Sequence, residues 1–125
     1  MLNAFVKLRR HNISGMVSFL VDTGADLTTL MPKDAFRLGI NYSLLRNPDQ
    51  AEGVGGSAKC YQEAAVISLF DEDDEQREHN VILDILEPDP RRPTMRLPSL
   101  LGRDIINDYR MIFDAHGSRL HFDLG

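Results

Sequence analysis

The chain has 125 residues, of which 42% are hydrophobic; this composition suits one globular domain with a single core and excludes extensive disorder. Its 14 basic and 19 acidic residues give a formal charge of −5, which argues against nucleic acid as a partner. No apolar run approaches the roughly 18 residues of a membrane helix, so no membrane partner is expected. The N-terminal residues lack the apolar stretch of a signal peptide, and one cysteine cannot form an internal disulfide. We therefore predict a single cytoplasmic domain over residues 1–125.

The first half of the chain has the pattern of strands and one helix separated by turn residues. Residues 4–10 and 16–21 are predicted to be strands, joined by a turn at residues 11–15 that contains Asn and Gly. The second strand is nearly all apolar, which predicts burial on both of its faces. Pro32–Leu38 is predicted to be a short helix, because proline is favoured at the first position of a helix and glycine after its last.

The second half alternates predicted strands with polar or proline-rich connections. The predicted strands are residues 58–70, 81–86 and 99–102, followed by a hairpin over residues 110–124. The acidic residues 71–80 are predicted to form a solvated turn. Ile105, Ile106 and Tyr109 have the spacing of one helical face, which predicts a second short helix. With about seven or eight strands and two short helices, the sequence predicts an all-β, barrel-like domain.

An acidic residue, Asp22, directly follows the apolar strand in the segment FLVDTGAD. Charged side chains are rarely buried without a partner, so Asp22 either begins a turn or is a carboxylate held for chemistry. Two later segments bear on this choice: the glycine-rich AEGVGGSAKCYQ, and SLLGRDIINDY, in which apolar residues precede Gly-Arg-Asp and a helix. In this order the three segments resemble the catalytic motif, the flap and the second signature of the retropepsin-like aspartic proteases, single-domain relatives of pepsin.

This resemblance implies a closed, barrel-like acid protease fold and assigns site residues by region. Asp22 matches the catalytic aspartate, and Leu27 stands where retroviral members often carry a second acid, which implies a more apolar substrate subsite. The remaining assignments are Thr23, Gly24 and Ala25 in the active-site loop, Asp26 and Arg103 as a structural brace, and Gly53, Val54, Gly55 and Gly56 in the substrate-binding flap. In the family the threonine hydroxyl bonds across the dimer axis, the glycine carbonyl contacts substrate, and the flap tip, here Val54, closes over it.

The resemblance also implies the reaction, that of an aspartic endopeptidase acting on a peptide or protein substrate. Two like carboxylates about 3 Å apart cannot both ionise, so they share one proton. The ionised carboxylate takes a proton from a water molecule that attacks the peptide carbonyl, while the protonated one donates to the carbonyl oxygen. Neither a metal nor another cofactor is required. Since this chain supplies one such aspartate, the mechanism implies a homodimer with Asp22 of each copy on the two-fold axis.

Other interpretations of the sequence remain beside this one. An inactive relative that kept the fold as a dimerisation or peptide-binding module is the alternative function, and a precursor fragment that requires excision is also compatible. The sequence GVGG lacks the Gly-Lys-Ser/Thr ending of a phosphate loop, and the acidic segment lacks the glycine and glutamate of a calcium loop. His116, His121 and Asp123 lack further metal ligands. Because few residues precede the first strand, we expect the dimer to rest on the C-terminal strands, the active-site loops and the flaps.

Overall fold

The computed structural model describes residues 1–53, 56–70, 75–91, 94–114 and 119–124. Within these ranges the chain forms nine strands and two α-helices, with short 3₁₀ turns at Tyr42–Leu44 and Thr94–Arg96. The strands are β1 Leu2–Leu8, β2 Ile13–Val21, β3 Thr29–Leu30, β4 Pro48–Gly53, β5 Gly56–Phe70, β6 Gln76–Leu86, β7 Ser99–Leu101, β8 Tyr109–Asp114 and β9 Arg119–Leu124. The helices are α1 Pro32–Leu38 and α2 Arg103–Ile106. The predicted all-β class with two short helices is confirmed.

Six strands close into a barrel in the order β1-β2-β7-β3-β6-β5, because β5 pairs back onto β1. The register around the closure aligns Phe5 with Met16 on one side and with Ser68 on the other. Two pairings are parallel, β2 with β7 and β3 with β6. Since β7 enters the sheet between β2 and β3, a late segment of the chain lies beside two early ones. The predicted closed barrel is therefore confirmed.

Along most barrel strands, buried residues alternate with residues that are more exposed. In β2, Val17 and Phe19 are buried, whereas Met16 and Leu20 are 46% and 45% exposed. The prediction that this strand is buried on both faces is therefore wrong. The strand belongs to a single-layer barrel, in which only the inward side chains reach the core. The core is filled mainly by Val6, Leu8, Val17, Phe19, Leu30, Ile67, Leu83, Ile85, Leu101 and Ile105.

Strand β6 begins earlier than the sequence predicts. It pairs with β5 from Gln76 opposite Phe70 to Leu86 opposite Cys60, so the predicted solvated turn at residues 71–80 is too long. At the start of β6, Gln76, Glu78 and Asn80 are exposed, and the Gln76 amide donates a hydrogen bond to the Ser68 hydroxyl at 3.0 Å. Residues 71–74 lie outside the described part of the chain.

Helix α1 has the predicted bounds and is tied to the barrel by a buried serine. Gly39 ends the helix with a left-handed φ of 81°, a conformation that glycine adopts without steric cost. At the other end the Met31 N–H donates to Ser99 Oγ at 2.9 Å, and the Ser99 hydroxyl donates to Asp34 Oδ2 at 2.7 Å. The helix start is thereby fixed to β7. Of the helices in the described ranges, none is long and apolar enough to cross a membrane.

A carboxylate, Glu63, points inward from β5 at one end of the barrel, where it is only 3% exposed. Arg10 donates to it through Nε at 3.1 Å and through a terminal nitrogen, His11 Nε2 lies 3.2 Å from Oε1, and the Arg46 N–H donates at 3.2 Å. Burial alone would raise the pKa of Glu63. The hydrogen bonds from Arg10, His11 and Arg46, together with the charge of Arg10, outweigh burial and lower the pKa below its ordinary value of 4.5.

We predict that Glu63→Gln lowers the free energy of unfolding by about 2 kcal/mol near pH 7, because charge-assisted hydrogen bonds are lost. A carboxyl whose folded pKa is lowered stabilises the protein at pH values above its unfolded pKa, and this contribution disappears as the pH falls through the folded pKa. The difference between the two proteins should therefore be largest between pH 5 and 7, by this linkage, and shrink below about pH 4.5. Urea denaturation followed by circular dichroism across this range measures it.

The matched control for this experiment is Glu78→Gln, which changes an exposed acid of β6. Its effect on stability should be small at every pH, since surface substitutions usually change stability little. A Glu63→Gln deficit that stays constant down to pH 3 would contradict the role assigned to the ionised carboxylate.

Candidate active site

Asp22 lies at the edge of the barrel where β2 ends beside the end of β7. The two strands run parallel, with Val21 opposite Leu101, and the Asp22 N–H donates to the Leu101 carbonyl at 3.0 Å. The carboxyl ends of parallel strands lie at the same edge of a sheet. The Asp-Thr-Gly loop and the Gly-Arg-Asp segment, which are far apart in the chain, are therefore neighbours.

The Asp22 carboxylate is half-buried and is oriented by the backbone of its own loop. The Gly24 N–H donates to Asp22 Oδ1 at 2.9 Å, and the Ala25 N–H donates to the Asp22 carbonyl at 3.2 Å. A Cβ added at Gly24 would lie 3.2 Å from Oδ1, closer than ordinary contact allows. A glycine at this position thus lets the backbone approach the carboxylate. Thr23 and Gly24 are exposed, so the loop faces solvent on the side of the carboxylate.

The start of α2 holds the far side of this loop through backbone hydrogen bonds. The Arg103 N–H donates to the Ala25 carbonyl at 2.8 Å, and the Asp104 N–H donates to the Asp26 carbonyl at 3.2 Å. The Arg103 guanidinium also forms an ion pair with the Asp26 carboxylate. The two side chains are 50% and 79% exposed, and exposed ion pairs contribute little to stability. The backbone contacts therefore hold the loop more firmly than the ion pair does.

A buried threonine, Thr28, connects the active-site loop to the Gly-Arg-Asp segment. Its N–H donates to Asp104 Oδ2 at 3.0 Å and its hydroxyl donates to Asp104 Oδ1 at 2.8 Å. The same hydroxyl oxygen accepts the Gly102 N–H at 3.1 Å. Thr28 is completely buried, so these three bonds satisfy groups that would otherwise be costly to bury.

Gly102 marks the point where the two segments are in direct backbone contact. A Cβ at this position would lie 2.5 Å from the carbonyl carbon of Leu27 and 2.8 Å from the Thr28 nitrogen. Both atoms belong to the backbone, which cannot give way as a flexible side chain can. A glycine is thus required at this crossing, for reasons of space rather than of backbone dihedral angles.

Of the site residues assigned by resemblance, all but Val54 and Gly55 lie in the part of the chain that the structure describes. Asp22, Thr23, Gly24 and Ala25 form one turn, and Asp26 contacts Arg103, while the assignment of this pair as a structural brace stays a prediction. Leu27 is half-buried beside Gly102, and its assignment to a substrate subsite stays a prediction.

In the flap, Gly53 pairs with Gly56 at the last described pair of the β4–β5 hairpin, whereas Val54 and Gly55 lie outside the described residues. His116 also lies outside them, and nothing is described of the His121 and Asp123 side chains. In the described residues no cluster of three or more His, Cys, Asp or Glu is placed to hold a metal.

Thr28 and Asp104 are the site residues that the sequence did not reveal. Asp104 belongs to the Gly-Arg-Asp motif, but nothing in the sequence pairs it with a residue 76 positions earlier. Thr28 carried a weak signal: it is the first of two threonines between apolar residues, where a buried hydroxyl needs a partner. Naming that partner requires knowing that β7 lies beside β2 and β3.

Comparisons with known proteins found one matching family and a similar solved structure. Residues 12–105 match the model of a family described as aspartyl protease; this range contains the Asp22 loop, the β4–β5 hairpin and Gly102 with Arg103. A solved structure that matches, a retropepsin-like aspartic protease from Rickettsia conorii, is 22% identical, with 90% of this chain and 74% of that chain covered and a TM-score of 0.48. No match was found among curated proteins.

We predict that Thr28→Val destabilises the protein more than Thr28→Ser does. Valine has the shape of threonine but leaves the Gly102 N–H and one Asp104 oxygen without their partner, at a cost of about 2 kcal/mol. Serine keeps the hydroxyl and loses one methyl group, at a cost of about 1 kcal/mol. Urea denaturation of both variants measures the difference. Equal losses, or a larger loss for serine, would show that packing of the methyl group matters more than the hydrogen bonds.

Proposed function

Because this chain belongs to the aspartyl protease family, we propose that it is an endopeptidase in which Asp22 from each of two identical chains activates water. The resemblance seen in the three sequence motifs is confirmed at the level of the family. The observation that carries the catalytic proposal is the Asp22 carboxylate, which is oriented by the Gly24 N–H at 2.9 Å and is followed by the exposed residues Thr23 and Gly24. Oδ1 is engaged in this bond, and Oδ2 has no donor among the described residues, so one oxygen is available for a water or a shared proton.

The reaction requires two such carboxylates close together. When they share one proton, the ionised carboxylate accepts a proton from the water between them, and the water oxygen attacks the peptide carbonyl carbon. The protonated carboxyl donates to the carbonyl oxygen, and the resulting tetrahedral species breaks its C–N bond as the nitrogen takes up a proton. The dyad must keep one proton, so activity should favour mildly acidic pH. Thr23 is exposed beside Asp22 and is proposed to bond to the matching loop of the second chain.

The second copy is proposed to be held in part by the C-terminal hairpin. Strands β8 and β9 form a two-stranded sheet of their own, and among the described residues neither pairs with a barrel strand. A two-stranded hairpin is only marginally stable in water, and its edges present unpaired N–H and C=O groups. A homodimer in which two such hairpins pair would satisfy these groups and bring two Asp22 loops to one axis.

The β4–β5 hairpin is proposed to act as the flap over the substrate. Strand β4 pairs only with β5 among the described strands, so the hairpin extends beyond the six-stranded barrel. The glycines at residues 53 and 56 flank its turn and suit a segment that opens and closes, with Val54 as the proposed tip. Closure would exclude water from the reacting groups. Leu27, next to the Asp22 loop, is proposed to line an apolar subsite for the peptide.

We predict that Asp22→Asn abolishes peptide cleavage while leaving the fold intact. An asparagine cannot accept the proton from water, and general acid–base catalysis typically contributes about 10²–10⁴-fold to the rate. Mass spectrometry of a diverse peptide mixture, incubated with each protein between pH 4 and 7, detects the cuts and also gives the side-chain preference.

The matched control is Glu78→Gln, which makes the same change of a carboxylate to an amide at an exposed position of β6. It should cleave as the wild-type protein does. If the wild-type protein makes no cuts even at concentrations that favour a dimer, the binding-module alternative gains support. Equal cutting by wild type and Asp22→Asn would remove Asp22 from the catalytic role.

We also predict that Asp22→Asn inhibits the wild-type protein when the two are mixed. With a ninefold excess of the variant, random pairing leaves about one wild-type chain in ten in a fully wild-type dimer, so the activity should fall about tenfold. The measurement is the cleavage rate after the chains have had time to exchange, with a sample mixed immediately before the assay as the control. An unchanged rate after exchange, with mixed dimers detected by native mass spectrometry, would show that one chain is sufficient.

A further inference from the structure

The root of the β4–β5 hairpin is a sharp corner of the chain. Pro48 pairs with Tyr61 at the base of the hairpin, and just outside it the Gln62 N–H donates to the Asn47 carbonyl at 3.3 Å. Asn47 has a φ of 55°, a left-handed conformation that asparagine tolerates better than most residues. The direction of β4 is therefore set by how Arg46 and Asn47 are held against β5.

Glu63 holds this corner from the inside of the barrel. Its Oε1 accepts the Arg46 N–H at 3.2 Å, one residue before the corner. The same carboxylate is bonded to Arg10 and His11 in the turn between β1 and β2, and the neighbouring Arg9 N–H donates to the Ala64 carbonyl at 3.0 Å. One buried group thus joins three segments: the β1–β2 turn, strand β5 and the chain leading into β4.

The charge of this group fits the conditions that the proposed reaction needs. Among the described residues, the Arg10 guanidinium and the His11 ring are the charged or titratable groups that contact Glu63, and the remaining donor is the neutral Arg46 N–H. These contacts lower the pKa of Glu63 in spite of its burial. The carboxylate is therefore ionised at the mildly acidic pH at which an aspartate dyad retains its shared proton, and the corner keeps its acceptor under those conditions.

We propose that Glu63 is a positioning residue: by fixing the Arg46–Asn47 corner to the β1–β2 turn, it sets the direction in which the β4–β5 hairpin leaves the barrel and so the affinity for a peptide under that hairpin. The effect on peptide affinity rests on the endopeptidase function proposed above, whereas the effect on the hairpin does not. In the described part of the chain, Glu63 contacts neither Asp22 nor another residue of the Asp22 loop. Its proposed effect on the reaction is therefore exerted through the hairpin.

Amide hydrogen exchange tests the structural half of this proposal. In Glu63→Gln, the amides of residues 49–53 and 56–61 should exchange faster by a factor at least about tenfold larger than the factor for β7, whose exchange reports the general loss of stability, because local opening is favoured at the hairpin root. The matched control is Asp34→Asn, which removes a carboxylate that joins α1 to β7 through Ser99. That variant should leave exchange in the hairpin unchanged.

A second variant keeps the test decisive if Glu63→Gln folds poorly. Arg46→Pro removes the N–H that donates to Glu63, together with the exposed Arg46 side chain, and leaves the carboxylate with Arg10 and His11. The preceding residue, Leu45, is already extended, with φ −80° and ψ 152°, as a residue before proline must be. The same selective increase in hairpin exchange is expected. An increase spread equally over the hairpin and β7 in both variants, or none in either, would overturn the proposal.

Steady-state kinetics test the functional half. Glu63→Gln should raise KM for a cleaved peptide about fivefold or more and change kcat less than about twofold, because binding under the hairpin is weakened while the Asp22 loop is untouched. A fall in kcat of about fivefold or more, with KM unchanged, would contradict a role in peptide affinity. If the wild-type protein cleaves nothing but hairpin exchange still increases selectively, the positioning role is supported and the endopeptidase function is what fails.

Discussion

Parallel pairing of β2 with β7 brings the ends of two distant segments to one edge of the barrel, and the candidate site exists only because of it. The Asp22 N–H bonds to the Leu101 carbonyl at this edge, and one residue later Gly102 touches the backbone of Leu27 and Thr28. Contact this close leaves no space for a side chain. The carboxylate is thus positioned by strand pairing and backbone packing, and the exposed Asp26–Arg103 ion pair has a secondary part.

Three acidic residues of the chain show how the surroundings of a carboxylate decide its role. Asp104 is engaged on both oxygens by Thr28, and Glu63 is bonded to groups from two other segments, the β1–β2 turn and the chain before β4. Both are acceptors whose capacity is largely used inside the protein, so they hold segments together. Asp22 receives a single described donor, at one oxygen. The same functional group is structural where donors saturate it and available for proton transfer where they do not.

Much of this arrangement could be predicted from the sequence, and what could not has a physical reason. Pro32 and Gly39 fixed the bounds of α1, since proline and glycine act through local backbone geometry. The motifs around Asp22 and Arg103 indicated the site because their residue types are tied to one chemistry. The start of β6 and the exposed face of β2 were misjudged because burial depends on which strands pair. The hydrogen-bond partners of Thr28 and Glu63 could not be predicted for the same reason, because they come from segments far away in the chain.

The insertion of β7 between β2 and β3 has a consequence for how the protein reaches its native state. The contact between Thr28 and Asp104 spans 76 positions of the chain, so it can form only after a large loop has closed, and the entropy of that closure opposes it. Folds dominated by such distant pairings reach the native state slowly compared with those built from local contacts. A chain emerging from the ribosome therefore carries Asp22 without the segment that completes the surroundings of that residue until β7 and α2 have also been made. The fold itself delays assembly of the site until that later segment is present.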